Sequence, residues 1–404
     1  MGHQETELKR GLTLPLIIFY GIGTILGSGI YVLVGKVAEE AGIHAPISFM
    51  VAAVIAVFSG LSYAELSSRF PEAAGPVTYM QKAFSFKWLS AFVGLAIVLS
   101  SILSTATVFN GFTGYLGEFI LLPKILTITI LTLLLAGFAI WGIVQSAWLI
   151  LMITLIELGG ILFFIFVSAD LVVDQPQVVK EVFSLPPIGQ WNAILGGAFI
   201  AFFAFIGFED LVSEAEETIN PRRNIPIAII VSLIILTILY FTVSLITIVA
   251  LPVDELSSST APLADVLKNR NTTYAYVISM IGLITSLNGA MVQFILGSRI
   301  LYGMGKKGMI PTYFAHVQGK TQTPVLATLM VAISTLVVAI NFEIKDLAEY
   351  TDFVLITVFI LVNLSLWMVK RKDAHGRKEV NYPIWVPFIG FFLSLAFLLA
   401  YLIG

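Results

Sequence analysis

The sequence predicts an all-α integral membrane protein of about eleven transmembrane helices, and three observations carry that reading. Of 404 residues, 58% are hydrophobic and only 12% are charged, whereas soluble domains carry about a quarter charged residues. So few charges cannot cover so much apolar surface in water, and the same composition excludes disorder. Second, the apolar stretches have the right length. An apolar bilayer core about 30 Å thick takes about 20 helical residues to cross. The stretches 13–35, 46–68, 88–116, 125–143, 146–168, 193–213, 226–250, 273–302, 323–341, 350–369 and 383–403 meet that length. Third, the cations alternate. With the N-terminus cytoplasmic, sixteen of the 22 Lys and Arg residues fall on the cytoplasmic side and six outside, as the positive-inside rule requires.

Residues 1–12 then read as a cytoplasmic tail. They are too polar, and the following apolar run too long, for a cleaved signal peptide. Residues 13–369 form a ten-helix core, and 370–404 a cytoplasmic loop with an additional helix that leaves the C-terminus outside. The expected location is a plasma or inner membrane. The short polar connections leave no inserted soluble domain. A net charge of -3 gives no basic field for nucleic acid. The absence of cysteine removes disulfides, thiolate metal sites and a cysteine nucleophile. His3, His44, His316 and His375 are far apart and lie outside the spans, so neither a metal cluster nor another cofactor is expected. No Ser–His pair, zinc motif or phosphate-binding loop appears in the spans, so an enzyme is not expected.

Span 1 carries four glycines at mid-membrane, Gly21, Gly23, Gly27 and Gly29. Each costs about 1 kcal/mol relative to alanine in a helix interior. Span 6 reads Phe202-Phe-Ala-Phe-Ile-Gly-Phe-Glu-Asp210, with two acids where lipid should be. Spans 1 and 6 are five apart, the spacing of an inverted repeat (about 13–168 and 193–369) whose first helices are broken at the midplane. A break bares peptide groups that hydrocarbon cannot satisfy, so it must line a cavity or a site. The amides of Gly27, Ser28 and Gly29 would open a half-helix and attract a carboxylate. Carbonyls at Ile25, Phe203 and Ile206, beside Gly207, suit an ammonium group. The plainer alternative is close helix packing through small residues.

Span 3 offers Ser104 and span 8 Ser286 as candidate wall residues, among several hydroxyls and amides that equally serve their own helix carbonyls. Glu157 stands in span 5 with long uncharged runs on both sides, so it cannot snorkel to an interface. An intramembrane carboxylate is a functional candidate by default. Because desolvation disfavours its charged form, Glu157 is a candidate proton carrier; a cation ligand, a substrate contact or a neutral hydrogen-bonded glutamate are the other readings. Glu209 follows the proposed break in span 6, and Asp210 reads as facing a polar seam. A gate ion pair between Glu65 and Arg299 is a further option.

Four stretches resemble the amino acid-polyamine-organocation superfamily of permeases, with the LeuT-type fold. They are Gly27-Ser-Gly-Ile30; Tyr63-Ala-Glu-Leu66 with Phe70-Pro-Glu-Ala-Ala-Gly-Pro76; Phe205-Ile-Gly-Phe-Glu209 with Glu216-Glu-Thr-Ile-Asn-Pro-Arg-Arg-Asn-Ile-Pro226; and Ser298-Arg-Ile-Leu-Tyr302 with Gly308 to Pro311. The resemblance implies a secondary active amino acid transporter working by alternating access, with substrate held between spans 1, 3, 6, 8 and 10. It implies a gating aromatic at Phe203 and a gate or proton-path role for Glu209. Glu157 departs from the pattern, since some proton-coupled relatives carry a lysine at what looks like this position. Proton symport is the favoured expectation, with amino acid or amine exchange, or polyamine or cation carriage, as the alternative. The expected partners are an amino acid, protons and the lipid bilayer; the oligomeric state stays open.

Overall fold

A computed structural model describes residues 11–27, 29–72, 75–84, 86–142, 147–319, 321–372 and 380–403. These contain sixteen α-helices: α1 (Leu14–Leu26), α2 (Gly29–Ala41), α3 (Ala45–Arg69), α4 (Gly75–Phe84), α5 (Lys87–Gly117), α6 (Lys124–Trp141), α7 (Ala147–Asp174), α8 (Pro176–Val182), α9 (Trp191–Phe202), α10 (Pro221–Ala250), α11 (Val253–Ser258), α12 (Pro262–Lys268), α13 (Thr272–Lys306), α14 (Val325–Asn341), α15 (Ile344–Lys372) and α16 (Trp385–Ile403). No strand occurs among the described residues; the one isolated bridge joins Leu12 to Thr218.

Local chemistry sets many of the boundaries. Proline occupies the first turn of α1, α3, α8, α10 and α12, where its missing N–H costs nothing and its fixed φ is already helical. Asn271 caps α13 by accepting from the Thr273 amide at 2.8 Å. Gly142 ends α6 in the left-handed conformation at φ 82°, the usual glycine stop.

Among the described residues, nine helical runs are long and apolar enough to cross a membrane, with α1 and α14 as shorter apolar helices. One of the nine, Gly29–Arg69, is 41 residues long. Straight, it would measure about 60 Å, twice the apolar thickness. It does not run straight, because Gly42 takes φ 57° and a 3₁₀ turn, Gly42–His44, separates α2 from α3. The expected span 1 is therefore α1 followed by α2, interrupted inside the stretch where its glycines cluster.

The packing places those interruptions at the centre. α5 packs against α13 and α15, α3 against α9 and α10, and α1 against α7 and α10, while α6 lies outside against α14 and α16 against α15 and α3. Large apolar side chains such as Leu133, Phe166, Ile238 and Ile333 stand exposed on the outer helices. That exposure suits lipid and would be a liability in water.

A buried ionic knot ties α3 to α15. Glu65 is fully buried and accepts from Lys370 at 2.6 and 2.7 Å, from Arg69 at 2.5 and 3.0 Å, and from the Tyr382 amide at 2.9 Å. Lys370 also donates to the Tyr382 carbonyl at 2.6 Å, so the knot fixes the approach to α16 as well. This corrects the expected Glu65–Arg299 gate. Glu65 spends its lone pairs on Lys370 and Arg69, and Arg299 faces a cavity instead.

Candidate substrate site at two helix breaks

Both expected interruptions are present. α1 stops at Gly27, with φ 20° and ψ -159°, and α2 starts at Gly29; Ser28 lies outside the described residues. In the other helix, α9 tightens into a 3₁₀ turn at Phe203–Phe205. Ile206 is extended, at φ -62° and ψ 141°, and Gly207 takes φ 120°. A 3₁₀ stretch, Phe208–Glu216, follows.

The two breaks touch. A methyl group at Gly29 would meet the Ala204 Cα at 2.7 Å, and one at Gly207 would meet the Thr24 carbonyl oxygen at 2.6 Å. Glycine is required at both, because neither backbone neighbour can yield as a side chain would. The glycines of α1 divide by role. Gly21 and Gly23 pack on Leu211, Ser232 and Thr154, whereas Gly27 has nothing nearer than 3.8 Å.

Gly27 has room because it borders a cavity of about 30 Å³ lined by Thr24, Ile25, Gly27, Gly29, Ser104, Val108, Phe203, Ile206, Gly289, Val292 and Gln293. Six of the expected site residues, Ile25, Gly27, Gly29, Ser104, Phe203 and Ile206, are thereby brought together. Gly207 does not line the cavity; it packs the second break onto the first. Ser286 is fully buried and also does not line it. α13 contributes Gly289, Val292 and Gln293, about one to two turns further along than Ser286.

The carbonyls are less bare than expected. The Tyr240 hydroxyl donates to the Ile25 carbonyl at 3.1 Å, and the Ile206 amide to the Phe203 carbonyl at 3.2 Å. Each carbonyl has two lone pairs, so one on each stays available. Tyr240, on α10, was not expected at the site; one tyrosine among 13 gives no signal in the sequence.

Below the breaks opens a larger cavity of about 470 Å³. Val292 and Gln293 belong to both cavity walls. Gln293 donates to Asp210 at 2.9 Å, so this pair stands at the junction. The larger cavity is lined by the acids Glu209, Asp210, Glu214 and Glu217 and by the cations Arg299 and Lys307. The Tyr20 hydroxyl donates to Glu214 at 3.0 Å. Glu209 turns back and accepts from the Gly207 amide at 3.0 Å, holding the break in its glycine-only conformation. On the other side of the breaks the helices are tied together. Lys345 on α15 pairs with Glu40 on α2 at 2.7 Å, and Lys36 on α2 donates to the Ser257 carbonyl at 2.7 Å.

Glu157 is fully buried behind α1 and α2 and does not line the small cavity. Asn288 on α13 donates to its Oε1 at 3.1 Å, and Tyr31 on α2 donates to its main-chain carbonyl at 3.0 Å. Its Oε2 has no hydrogen-bond partner among the described residues. Residue 157 thus ties its own helix to α13 through the carboxyl group and to α2 through the main chain.

Residues 12–404 match the family described as amino acid permease. The chain belongs to that family. Its membership places it among transporters rather than enzymes and agrees with the resemblance carried by the sequence motifs. This permease is 29% identical to the cationic amino acid transporter 3, mitochondrial, of Arabidopsis thaliana, over 91% of this chain and 63% of that one. It is 28% identical to the branched-chain amino acid permease BcaP of Bacillus subtilis (strain 168), over 94% and 85%. It is 29% identical to the cationic amino acid transporter 4 of Homo sapiens, over 91% and 60%. The chain therefore spans less than two thirds of the length of these cationic relatives.

Proposed function

We propose that this permease is a secondary active transporter that carries an amino acid by alternating access, with proton symport as its coupling. One observation carries the reading: two interrupted helices abut, and their breaks share one small cavity that has Val292 and Gln293 in common with a larger one. The substrate carboxylate sits at the amides that open α2, where the half-helix is partially positive. Its ammonium group takes the remaining lone pairs at Ile25, Phe203 and Ile206. Phe203 covers the ligand as the gate. A cavity of about 30 Å³ holds about two waters, so binding requires the walls to part, and that motion is the transport step. The halves 13–168 and 193–369 are the repeats that rock against one another, in a cell membrane with the N-terminus cytoplasmic. The larger cavity then opens inward.

The cavity wall, which includes Ser104, Val108, Val292 and Gln293, carries no charge, which favours a small neutral side chain of the branched-chain kind. A specific observation supports a second reading, a cationic amino acid or amine: Asp210 stands one hydrogen bond behind Gln293. The two are separated by a thermal-shift screen of purified protein with leucine, arginine and putrescine, followed by uptake of the stabilising compound into liposomes. Stabilisation by putrescine alone would remove the amino acid reading.

Glu157 is the proposed proton carrier, with Glu209 on the path from the larger cavity. Glu157→Gln keeps the shape and the Asn288 contact but cannot release a proton. Counterflow exchange of the substrate should persist within about threefold, while accumulation driven by a pH gradient should fall by about tenfold or more. Unchanged gradient-driven accumulation in E157Q would sink the proton role of Glu157, and wild-type uptake that ignores the pH gradient would leave exchange as the coupling.

A further inference from the structure

Asp352 lies on α15 within the stretch that crosses the membrane, and its side chain is fully buried. Neither of its carboxyl oxygens has a hydrogen-bond partner among the described residues. Glu157 has one such oxygen, and Glu65 has three donor groups; Asp352 stands out among these buried carboxyls. α15 packs there against α9 and against the 3₁₀ turn of the second break. The Phe203 amide acts on the carboxyl without reaching hydrogen-bond geometry, and it donates to the Ala201 carbonyl instead. The charged groups whose field reaches it are Glu349, one turn earlier on α15, and Glu209, beyond the break. Both are acids. Glu349 in turn accepts from the Tyr401 hydroxyl of α16 at 2.7 Å.

An ionised carboxylate in this place would have no cation and no donor, in a region that excludes water. Isolated buried charge of that kind costs far more than a folded chain tolerates, and the group neutralises instead. We infer that Asp352 is a proton-binding site, separate from Glu157, whose occupancy is linked to the position of the Phe203 gate. The inference rests on the gate reading of Phe203 given above. The step is a simple dissociation: the carboxyl O–H bond breaks, its electron pair stays on Asp352, and the proton passes to water that enters when the break opens. With the proton bound, the acid is neutral and the 3₁₀ turn packs against it. Without it, the carboxylate needs a donor, and it competes with the Ala201 carbonyl for the Phe203 amide. Drawing that amide toward α15 moves the residue that lines the substrate cavity. Proton binding and gate position then bias one another reciprocally.

Infrared difference spectra of wild-type protein labelled with ¹³C-carboxyl aspartate test the site without substrate and without reference to Glu157, because glutamate stays unlabelled. A protonated, isotope-shifted aspartate band should persist at neutral pH, be retained in Asp210→Asn and vanish in Asp352→Asn. Absence of that band from the wild type, or its loss in D210N rather than D352N, overturns the site. Should D352N not fold, Asp352→Glu removes the labelled carbon while keeping an acid, and the same band must vanish. For the linkage, Phe203→Trp reports the gate: its fluorescence should follow pH in step with the band, and the response should be absent from F203W/D352N. A pH response that survives in the double variant contradicts the linkage. Failure of E157Q to uncouple transport would leave both readouts untouched, so the two ideas fail separately.

Discussion

The two helix breaks differ in what surrounds them. At Gly27 the backbone has left-handed φ, yet an added methyl would find nothing nearer than 3.8 Å. At Gly207 the φ of 120° is combined with a carbonyl oxygen 2.6 Å from where a methyl would stand. The first break is therefore open toward the small cavity, and the second is jammed against the first. Glycine serves access at one position and contact at the other. The same division runs through the glycines of the first broken helix, where Gly21, Gly23 and Gly29 are packing glycines and Gly27 has room beside the cavity. Close packing and an open break, alternatives when only the glycine count is considered, coexist a few residues apart.

The comparison can be broken most forcefully at Gly207. Gly207→Ala adds left-handed strain of about 1–3 kcal/mol and overpacking of about 1–3 kcal/mol against backbone. The two together approach the stability of an ordinary domain, about 5–15 kcal/mol. The expected outcome is a large loss of monodisperse protein on size exclusion, with no recoverable transport. Near wild-type yield would show that the breaks are not in the contact described. Gly29→Ala should act next most strongly. Its methyl meets the Ala204 Cα at 2.7 Å, but at ordinary helical φ the strain is steric only, about 1–3 kcal/mol. The variant should fold with a lowered melting temperature and lose substrate-induced stabilisation, because the breaks are wedged apart. Equal loss of stability in G29A and G207A would erase the distinction between them. Gln293→Ala should be the mildest. It removes the amide donor from the Asp210 carboxyl, about 0.5–1.5 kcal/mol of stability, read as a small drop in melting temperature. If Asp210 instead receives a cationic side chain, Q293A should favour arginine over leucine, which competition uptake would read directly.

Much of this was legible in the sequence because glycines and acids are conspicuous in apolar runs. The cluster from Gly21 to Gly29 and the acids after Gly207 stand where lipid-facing helix should be, and both mark real interruptions. Glu157 was legible for the same reason. Asp352 was not. Lys345, Asp346 and Glu349 precede it on α15, so it reads as one more polar residue at a helix start, and only the packing buries it. Ser286 does not line the small cavity. It shares a helical face with Gly289 and Gln293, but one turn of α13 is about 5 Å, enough to leave it outside so small a cavity. The Glu65 knot shows the other limit. Arg69 is one helical turn away and could be paired by spacing, whereas Lys370 is 305 residues distant and no local pattern announces it. Tyr240 on the Ile25 carbonyl is likewise a tertiary contact, and it removes part of the hydrogen-bonding capacity that the sequence assigned to substrate.

The central claim is that the open break at Gly27 holds the amino acid, and the chain is suited to a direct test because it contains no cysteine. Gly27→Cys places a single thiol in the cavity wall, and its rate of labelling by a small thiol reagent is measured in liposomes with and without leucine or arginine. Slowing of labelling by about fivefold or more with one of these amino acids, and not with an equal concentration of sucrose, is the predicted result. Labelling that no transported amino acid slows, in a variant that still takes that amino acid up, would contradict the claim.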